Sequence, residues 1–141
     1  MHLRKTLESD FKIIPKFIEE ALGRINKEFQ LTEDEIFDLT LVLEESITNA
    51  VKHGNKSAPD LKVEITITSE EERLLIKVKN GGPGFDDKKV PDPTRKDKLM
   101  KTSGRGIFLI KKTMDEVSFH DHGREIHMLK ALGTKRPHEP S

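Results

Sequence analysis

The spacing of apolar residues along the chain predicts strands and helices that alternate. Residues 3–7 (LRKTL) fit a short strand, and apolar residues then recur at helical spacing through about residue 29. Pro15 is tolerated in a helix only in the first turn, so this helix is expected to begin near Ile14. Its apolar residues are Phe11, Ile14, Ile18, Ala21, Leu22 and Ile25.

A capping box, T-E-D-E at residues 32–35, predicts the start of a second helix. The Thr32 hydroxyl and the Glu35 carboxylate can each accept a hydrogen bond from a backbone N–H of the first turn. Gly54 is expected to end this helix as its C-cap. The expected core stripe is Ile36, Leu39, Leu43, Ile47 and Ala50.

The second half of the chain predicts two hairpins and a third helix. LKVEITIT (61–68) alternates strictly and is joined to the apolar RLLIKVK (73–79) by an acidic turn. Residues 86–103 are polar and aperiodic, which predicts a long loop before the helix GRGIFLIKKTM. VSFH and EIHMLKAL predict a closing hairpin. This order favours an α+β fold, a two-layer sandwich with a mostly antiparallel sheet covered on one face by helices.

Composition narrows the classes of function. The 141 residues fit one domain, expected over 1–132, with a disordered tail at 133–141. Because 25 Lys and Arg balance 25 Asp and Glu, no general electrostatic attraction to nucleic acid or anionic membrane is expected. The chain has no cysteine, no apolar signal region and no run long enough to span a bilayer, so a cytoplasmic protein is expected.

The second helix carries a candidate pair for chemistry. Glu45 and Asn49 are four residues apart, so both side chains leave the same side of the helix, roughly opposite the expected core stripe. A carboxylate and a carboxamide together can accept a proton and ligate a hard cation such as Mg²⁺. Alone, the pair is also typical of an ordinary solvated helix face.

Two glycine clusters offer a second candidate feature. Gly81, Gly82 and Gly84 follow a strand, where they fit either a tight turn or the close approach of a ligand to the backbone. The run S-G-R-G opens the third helix, where free N–H groups can bind phosphate, although Ser103 also fits a plain N-cap. His120, His122 and His127 lack the carboxylate or cysteine that would complete a metal site.

Taken in order, these motifs resemble those of a known ATP-binding superfamily. E-S-x-T-N-A-x-x-H-G lies on a helix, a strand runs into N-G-G-x-G-F, and S-G-x-G-I-x-L-I opens another helix. The pattern is similar to the fold shared by gyrase B, heat-shock chaperone ATPases, mismatch-repair ATPases and histidine kinases. Within that group it most resembles the small anti-sigma-factor serine kinases of bacterial partner-switching systems, over about residues 6–132.

The resemblance implies a site for ATP and Mg²⁺. It implies that Glu45 is catalytic and orients or deprotonates the attacking hydroxyl, while Asn49 coordinates the Mg²⁺ that bridges the triphosphate. Residues 86–103 would form a lid. Phosphoryl transfer depends on metal, positioning and charge neutralisation, which suits this set. The implied nucleotide-binding residues are Asn49, Lys52, His53, Asn80, Gly82, Gly84, Phe85, Ser103, Gly104, Arg105, Gly106 and Ile107.

The sequence departs from the family pattern on the adenine side. The family normally begins the glycine turn with Asp, which accepts the adenine amino group, and Asn80 stands here. Relatives usually place Thr after a glycine on the last strand, whereas Arg124 and Glu125 follow Gly123. The Asn80 carbonyl can still accept a hydrogen bond, at a loss of about 1 to 3 kcal/mol, roughly ten- to a hundredfold in affinity.

Three hypotheses remain. The first is an anti-sigma factor and serine kinase that transfers the ATP γ-phosphoryl to a serine of a STAS-type anti-sigma-antagonist protein and inhibits a sigma factor. The second is a partner-switching binding protein of the same fold with weak or no nucleotide binding, which Asn80 favours. The third, a histidine-kinase-like fragment, is disfavoured because histidine kinases usually carry Asn at the position of Glu45. A homodimer is expected, with its interface near Phe11, Ile14 and Ile18.

Overall fold

The computed structural model describes residues 1–56, 58, 60–82 and 102–133, with side chains from residue 106 onward in the last segment. A 3₁₀ turn, Phe11–Ile13, precedes α1, and a π-helical turn, Ala50–Gly54, follows α2. The strands and helices are β1 His2–Glu8, α1 Ile14–Glu28, α2 Glu33–Asn49, β2 Lys62–Glu70, β3 Arg73–Asn80, α3 Thr102–Thr113, β4 Glu116–His120 and β5 Glu125–Ala131.

The five strands form one sheet in the order β1-β2-β3-β5-β4, with every neighbouring pair antiparallel. Val63, Ile65 and Ile67 are fully buried on the face that packs against the helices. The alternate positions, such as Glu64 and Lys77, point to the other face because strand side chains alternate. The predicted α+β fold with a helix-covered antiparallel sheet is therefore confirmed.

Several local predictions are confirmed as well. Pro15 lies in the first turn of α1, which begins at Ile14. The capping box forms, with Thr32 N donating to Glu35 Oε1 at 2.9 Å and Glu35 N donating to Thr32 Oγ1 at 3.1 Å. Both predicted hairpins are present. Within the described ranges, no helix is both long enough and apolar enough to cross a bilayer.

Two of the residues expected at a dimer interface belong to the core. Ile14 and Ile18 are 4% and 6% exposed, whereas Phe11 is 46% exposed. The expected core stripe of α2 also needs one correction, because Ile36 is 39% exposed. It lies in the first turn, at the edge of the core, and Val42 contributes a fully buried side chain further along the helix.

The prediction that Gly54 is the C-cap of the second helix is wrong. The chain continues beyond Asn49 into the π-helical turn, which Asn55 N closes by donating to Ala50 O at 2.8 Å. Among the described glycines only Gly123 has a positive φ. Glycine is needed at position 54 for space, since an added Cβ would overlap the carboxamide of Asn80 and lie 2.8 Å from its Cβ.

Helix α3 begins at Thr102, two residues before the predicted start, so Ser103 lies inside the helix instead of capping it. Ile107, Ile110 and Met114 are buried at helical spacing, and this packing outweighs the low helix propensity of the two glycines in the first turns. The predicted loop as far as residue 101, the tail at 134–141, and the site residues Gly84 and Phe85 lie outside the described residues.

Candidate functional site

The end of α2 presents Glu45 and Asn49 one turn apart, both half-buried. Neither belongs to the buried stripe of α2, and α3 packs against α2. Asn49 Oδ1 is buried and has no hydrogen-bond partner within the described part of the chain. Leaving a buried acceptor unpaired costs about 1 to 3 kcal/mol. A group of this kind calls for an explanation, such as a bound ion or water.

Glu45 and the glycines of α3 are brought together by the packing of these two helices. A Cβ added to Gly106 would lie 2.8 Å from Glu45 Oε2, closer than real Cβ contacts allow. The carboxylate of Glu45 therefore occupies space that the missing side chain leaves open. Two motifs about sixty residues apart in sequence thus meet at one candidate site, where the end of α2 packs against the first turns of α3.

The π-helical turn adds two basic residues just after the end of α2. Lys52 and His53 lie three and four residues after Asn49, and both are exposed. Partial burial, and then the charge of Lys52, lower the pKa of His53 below its ordinary value. His53 is therefore neutral at pH 7, and Lys52 carries the positive charge of this turn.

The glycine turn after β3 packs directly against the π-helical turn. A Cβ on Gly82 would overlap the carbonyl oxygen of Gly54 and lie 2.7 Å from its carbonyl carbon. Asn80 is buried, at 7% exposure, and its Oδ1 accepts a hydrogen bond from Gly82 N at 2.9 Å. Gly82 is thus required for close packing, whether or not a ligand is present.

Asn55 is a residue of this region that the sequence analysis missed. It is 1% exposed, and its Oδ1 accepts a hydrogen bond from Gly81 N at 2.7 Å. Its Nδ2 donates to Ser9 Oγ at 2.9 Å and to Lys62 O at 3.1 Å. An asparagine just after a predicted helix end was the available signal, because its carboxamide can bond nearby backbone groups.

Arg124 also lies against the glycine turn. Its Nε donates to Gly82 O at 2.8 Å, and its backbone carbonyl accepts a hydrogen bond from Asn80 N at 2.9 Å. Asp121 pairs with Arg124 Nη1 at 3.4 Å and with Lys79 at 3.2 Å. The hydrogen bond from Lys79 lowers the pKa of Asp121, which keeps this carboxylate ionised.

The remaining candidate residues lie in α3 and in the closing hairpin. Ser103, Gly104 and Arg105 lie in the first turn of α3, and Ile107 is 4% exposed, so its side chain belongs to the interior. The rings of His120 and His127 stack with centroids 3.8 Å apart, while His122 lies in the turn. No group of three His, Cys, Asp or Glu in the described ranges has the arrangement of a metal site.

The fold and this site are those of a known class of protein. The histidine kinase-like ATPase domain family matches residues 13–130, more than half of the chain, so the chain belongs to this family. Its helix-covered antiparallel sheet is consistent with that assignment.

Named relatives refine the class to the anti-sigma-factor kinases. The chain is 29% identical to serine-protein kinase RsbW of Listeria monocytogenes serotype 4a (strain HCC23), over 99% of this chain and 94% of the relative. It is 32% identical to serine-protein kinase RsbW of Bacillus subtilis (strain 168), over 82% and 77%. It is 28% identical to anti-sigma F factor of Oceanobacillus iheyensis, over 85% and 86%.

Proposed function

We propose that this chain is an anti-sigma factor and a protein serine kinase that transfers the γ-phosphoryl of ATP to a serine of a STAS-type anti-sigma-antagonist protein. The observation that carries the proposal is the buried Oδ1 of Asn49, which has no partner among the described residues and lies one helical turn from Glu45. An amide oxygen is a suitable ligand for Mg²⁺, and a neighbouring carboxylate suits proton transfer.

The residues of this candidate site fit Mg²⁺-ATP. Asn49 would hold the metal, which supplies charge neutralisation to the phosphates when bound. Lys52 offers a positive charge, and the first turn of α3 offers unpaired N–H groups and the positive end of the helix dipole. Glu45 would orient the serine hydroxyl and accept its proton. The space at Gly106 lets the carboxylate lie directly against α3.

The names of the relatives support the proposal that a sigma factor is a partner. An anti-sigma F factor acts on a sigma factor, and the serine-protein kinases act on a protein serine. We expect this chain to bind a sigma factor and an antagonist protein in the cytoplasm, as a homodimer, without direct contact to nucleic acid or membrane. The exposed Phe11 is the part of the expected interface that the core leaves free.

A binding protein without kinase activity is the alternative. It is favoured by the part of the site near Asn80, where the base of the nucleotide would lie and which we call the base end. The Oδ1 of Asn80, expected to accept from adenine, already accepts a hydrogen bond from Gly82 N. A nucleotide would gain less there than at a free carboxylate. In this alternative the chain switches partners by association alone.

Substitution of Glu45 tests the kinase proposal. We expect Glu45→Ala and Glu45→Gln to lower transfer of labelled phosphate from ATP to a cognate antagonist by about 10²- to 10⁴-fold, the usual contribution of a general base. The affinity for Mg²⁺-ATP, measured by calorimetry, should change little. Glu44→Gln is the matched control, because Glu44 precedes Glu45 on the same helix but is exposed.

The two functions predict different outcomes. If the native chain binds Mg²⁺-ATP and transfers phosphate, and Glu44→Gln does so equally well, the kinase proposal holds. Transfer that persists in Glu45→Ala would remove Glu45 from its role as the base. A native chain that binds its antagonist and sigma factor without any transfer would support the binding protein.

A further inference from the structure

The Gly82 peptide is held from both sides by side chains. Its N–H donates to Asn80 Oδ1 at 2.9 Å, and its C=O accepts from Arg124 Nε at 2.8 Å. Asn80 is the last residue of β3 and Arg124 immediately precedes the neighbouring strand β5, and a backbone hydrogen bond joins the two residues. The geometry of the turn therefore fixes how both side chains are oriented.

The hydrogen bond from Gly82 N sets the orientation of the Asn80 carboxamide. Its oxygen faces the turn, and its nitrogen lies on the side of Gly54, where an added Cβ would overlap it. In the part of the chain that the structure describes, Asn80 Nδ2 has no hydrogen-bond acceptor. A carboxamide nitrogen can only donate, so the polar group that Asn80 can offer to a ligand is a donor.

The charged side chains near Arg124 are paired with one another. A guanidinium has five N–H donors and no acceptor, and among the described residues the Nε and Nη1 of Arg124 have partners. Asp121 is held by Lys79 and Arg124. The carboxylate of Glu125 pairs with His127 Nε2 at 2.9 Å. At the base end of the candidate nucleotide site, Asn80 and Arg124 thus present donors, while the nearby carboxylates are engaged in ion pairs.

We propose that this base end selects a purine with a carbonyl at C6 in preference to one with an amino group, so that GTP binds at least as tightly as ATP. The proposal rests on the proposed function, because it needs the nucleotide to lie against the glycine turn. Guanine presents acceptors at O6 and N7, whereas adenine presents its N6 amino donor where guanine has O6. A donor that meets another donor leaves both unpaired, which lowers affinity.

Calorimetric titration of the full chain with Mg²⁺-ATP, Mg²⁺-GTP and Mg²⁺-ITP tests the proposal. ITP carries the C6 carbonyl without the 2-amino group of guanine, so it isolates the group in question. We expect GTP and ITP to bind at least as tightly as ATP. Asn80→Asp keeps the acceptor for Gly82 N and should reverse the order, with a change in the ATP to GTP ratio on the order of tenfold.

A second variant keeps the test independent of Asn80. Arg124→Met retains the length of the side chain and removes its donors, and it should weaken GTP and ITP more than ATP. If native ATP binds more tightly than GTP and ITP, the C6 preference is overturned while the kinase proposal stands. Tight GTP with weak ITP would also overturn it. If no nucleotide binds, the proposed nucleotide site itself fails, and this inference fails with it.

Discussion

The two ends of the candidate site differ in how their polar groups are satisfied. At the end formed by α2 and α3, which we call the metal end, Asn49 Oδ1 is buried without a partner in the described part of the chain. At the base end, the side-chain oxygens of Asn80 and Asn55 accept hydrogen bonds from the backbone N–H groups of Gly82 and Gly81, respectively. The metal end therefore has an acceptor available for a ligand, whereas the base end is held together by the protein's own hydrogen bonds.

This difference predicts that substitutions at the metal end change ligand binding without lowering stability, whereas substitutions at the base end change both. An unpaired buried acceptor lowers stability, so its removal should harm ligand binding but not folding. A hydrogen-bonded, closely packed turn contributes to stability, so a change there should harm both. Enzymes commonly accept such a cost at the groups that perform the chemistry.

The largest effect is expected at the base end. Gly82→Ala places a Cβ against the carbonyl of Gly54, which is backbone and cannot move aside cheaply. We expect it to lower the free energy of unfolding by about 3 kcal/mol, measured by denaturant titration. Gly81→Ala is the matched control, because its Cβ would meet its nearest neighbour, a Leu61 side-chain atom, at an ordinary 3.5 Å.

Equal stability of the two alanine variants would contradict the close packing of the glycine turn on the π-helical turn. Loss of nucleotide binding in Gly82→Ala without loss of stability would also be informative. It would mean that glycine is needed there for the ligand alone, the alternative that the sequence left open.

At the metal end we expect a smaller effect, in which ligand affinity falls while stability is kept or raised. Asn49→Ala removes the unpaired acceptor and places a better helix former in α2, so stability should be unchanged or higher by up to about 1 kcal/mol. Affinity for Mg²⁺-ATP should fall by on the order of tenfold or more, equivalent to about 1.4 kcal/mol.

The measurement for Asn49→Ala is a pair of ATP titrations, with and without Mg²⁺. In the native chain Mg²⁺ should raise the affinity for ATP, and in the variant it should have little influence. Thr48→Ala, at the preceding half-buried position, should keep the native response to Mg²⁺. A clear loss of stability in Asn49→Ala would show instead that Asn49 is a structural residue.

The sequence predicted the elements of the fold well, because local rules govern them. The capping box at Thr32 and the alternation in β2 each depend on residues a few positions apart. The spacing of Glu45 and Asn49 followed from helix geometry in the same way. For these features the sequence carries the whole physical cause.

Contacts between distant segments were not predictable in this way. Gly54 was interpreted as a C-cap because a local rule fits it, while the structure shows that Asn80, 26 positions later, requires the glycine. The packing of Glu45 on Gly106 and the hydrogen bond from Arg124 to Gly82 likewise join residues far apart in sequence. Only the fold brings these groups within reach of one another.

The smallest and most selective effect is expected for Gly106→Ala. Its Cβ would meet the far end of the flexible Glu45 side chain, which can move aside at little cost in stability. Alanine is a better helix former than glycine, so the variant should gain about 1 kcal/mol, and so should Gly23→Ala, an exposed position in α1 with nothing within 4 Å. Only Gly106→Ala should lower phosphoryl transfer, by about tenfold, since a small displacement of the base impairs the reaction. Equal transfer in the two variants would show that the position of Glu45 against α3 does not matter for catalysis.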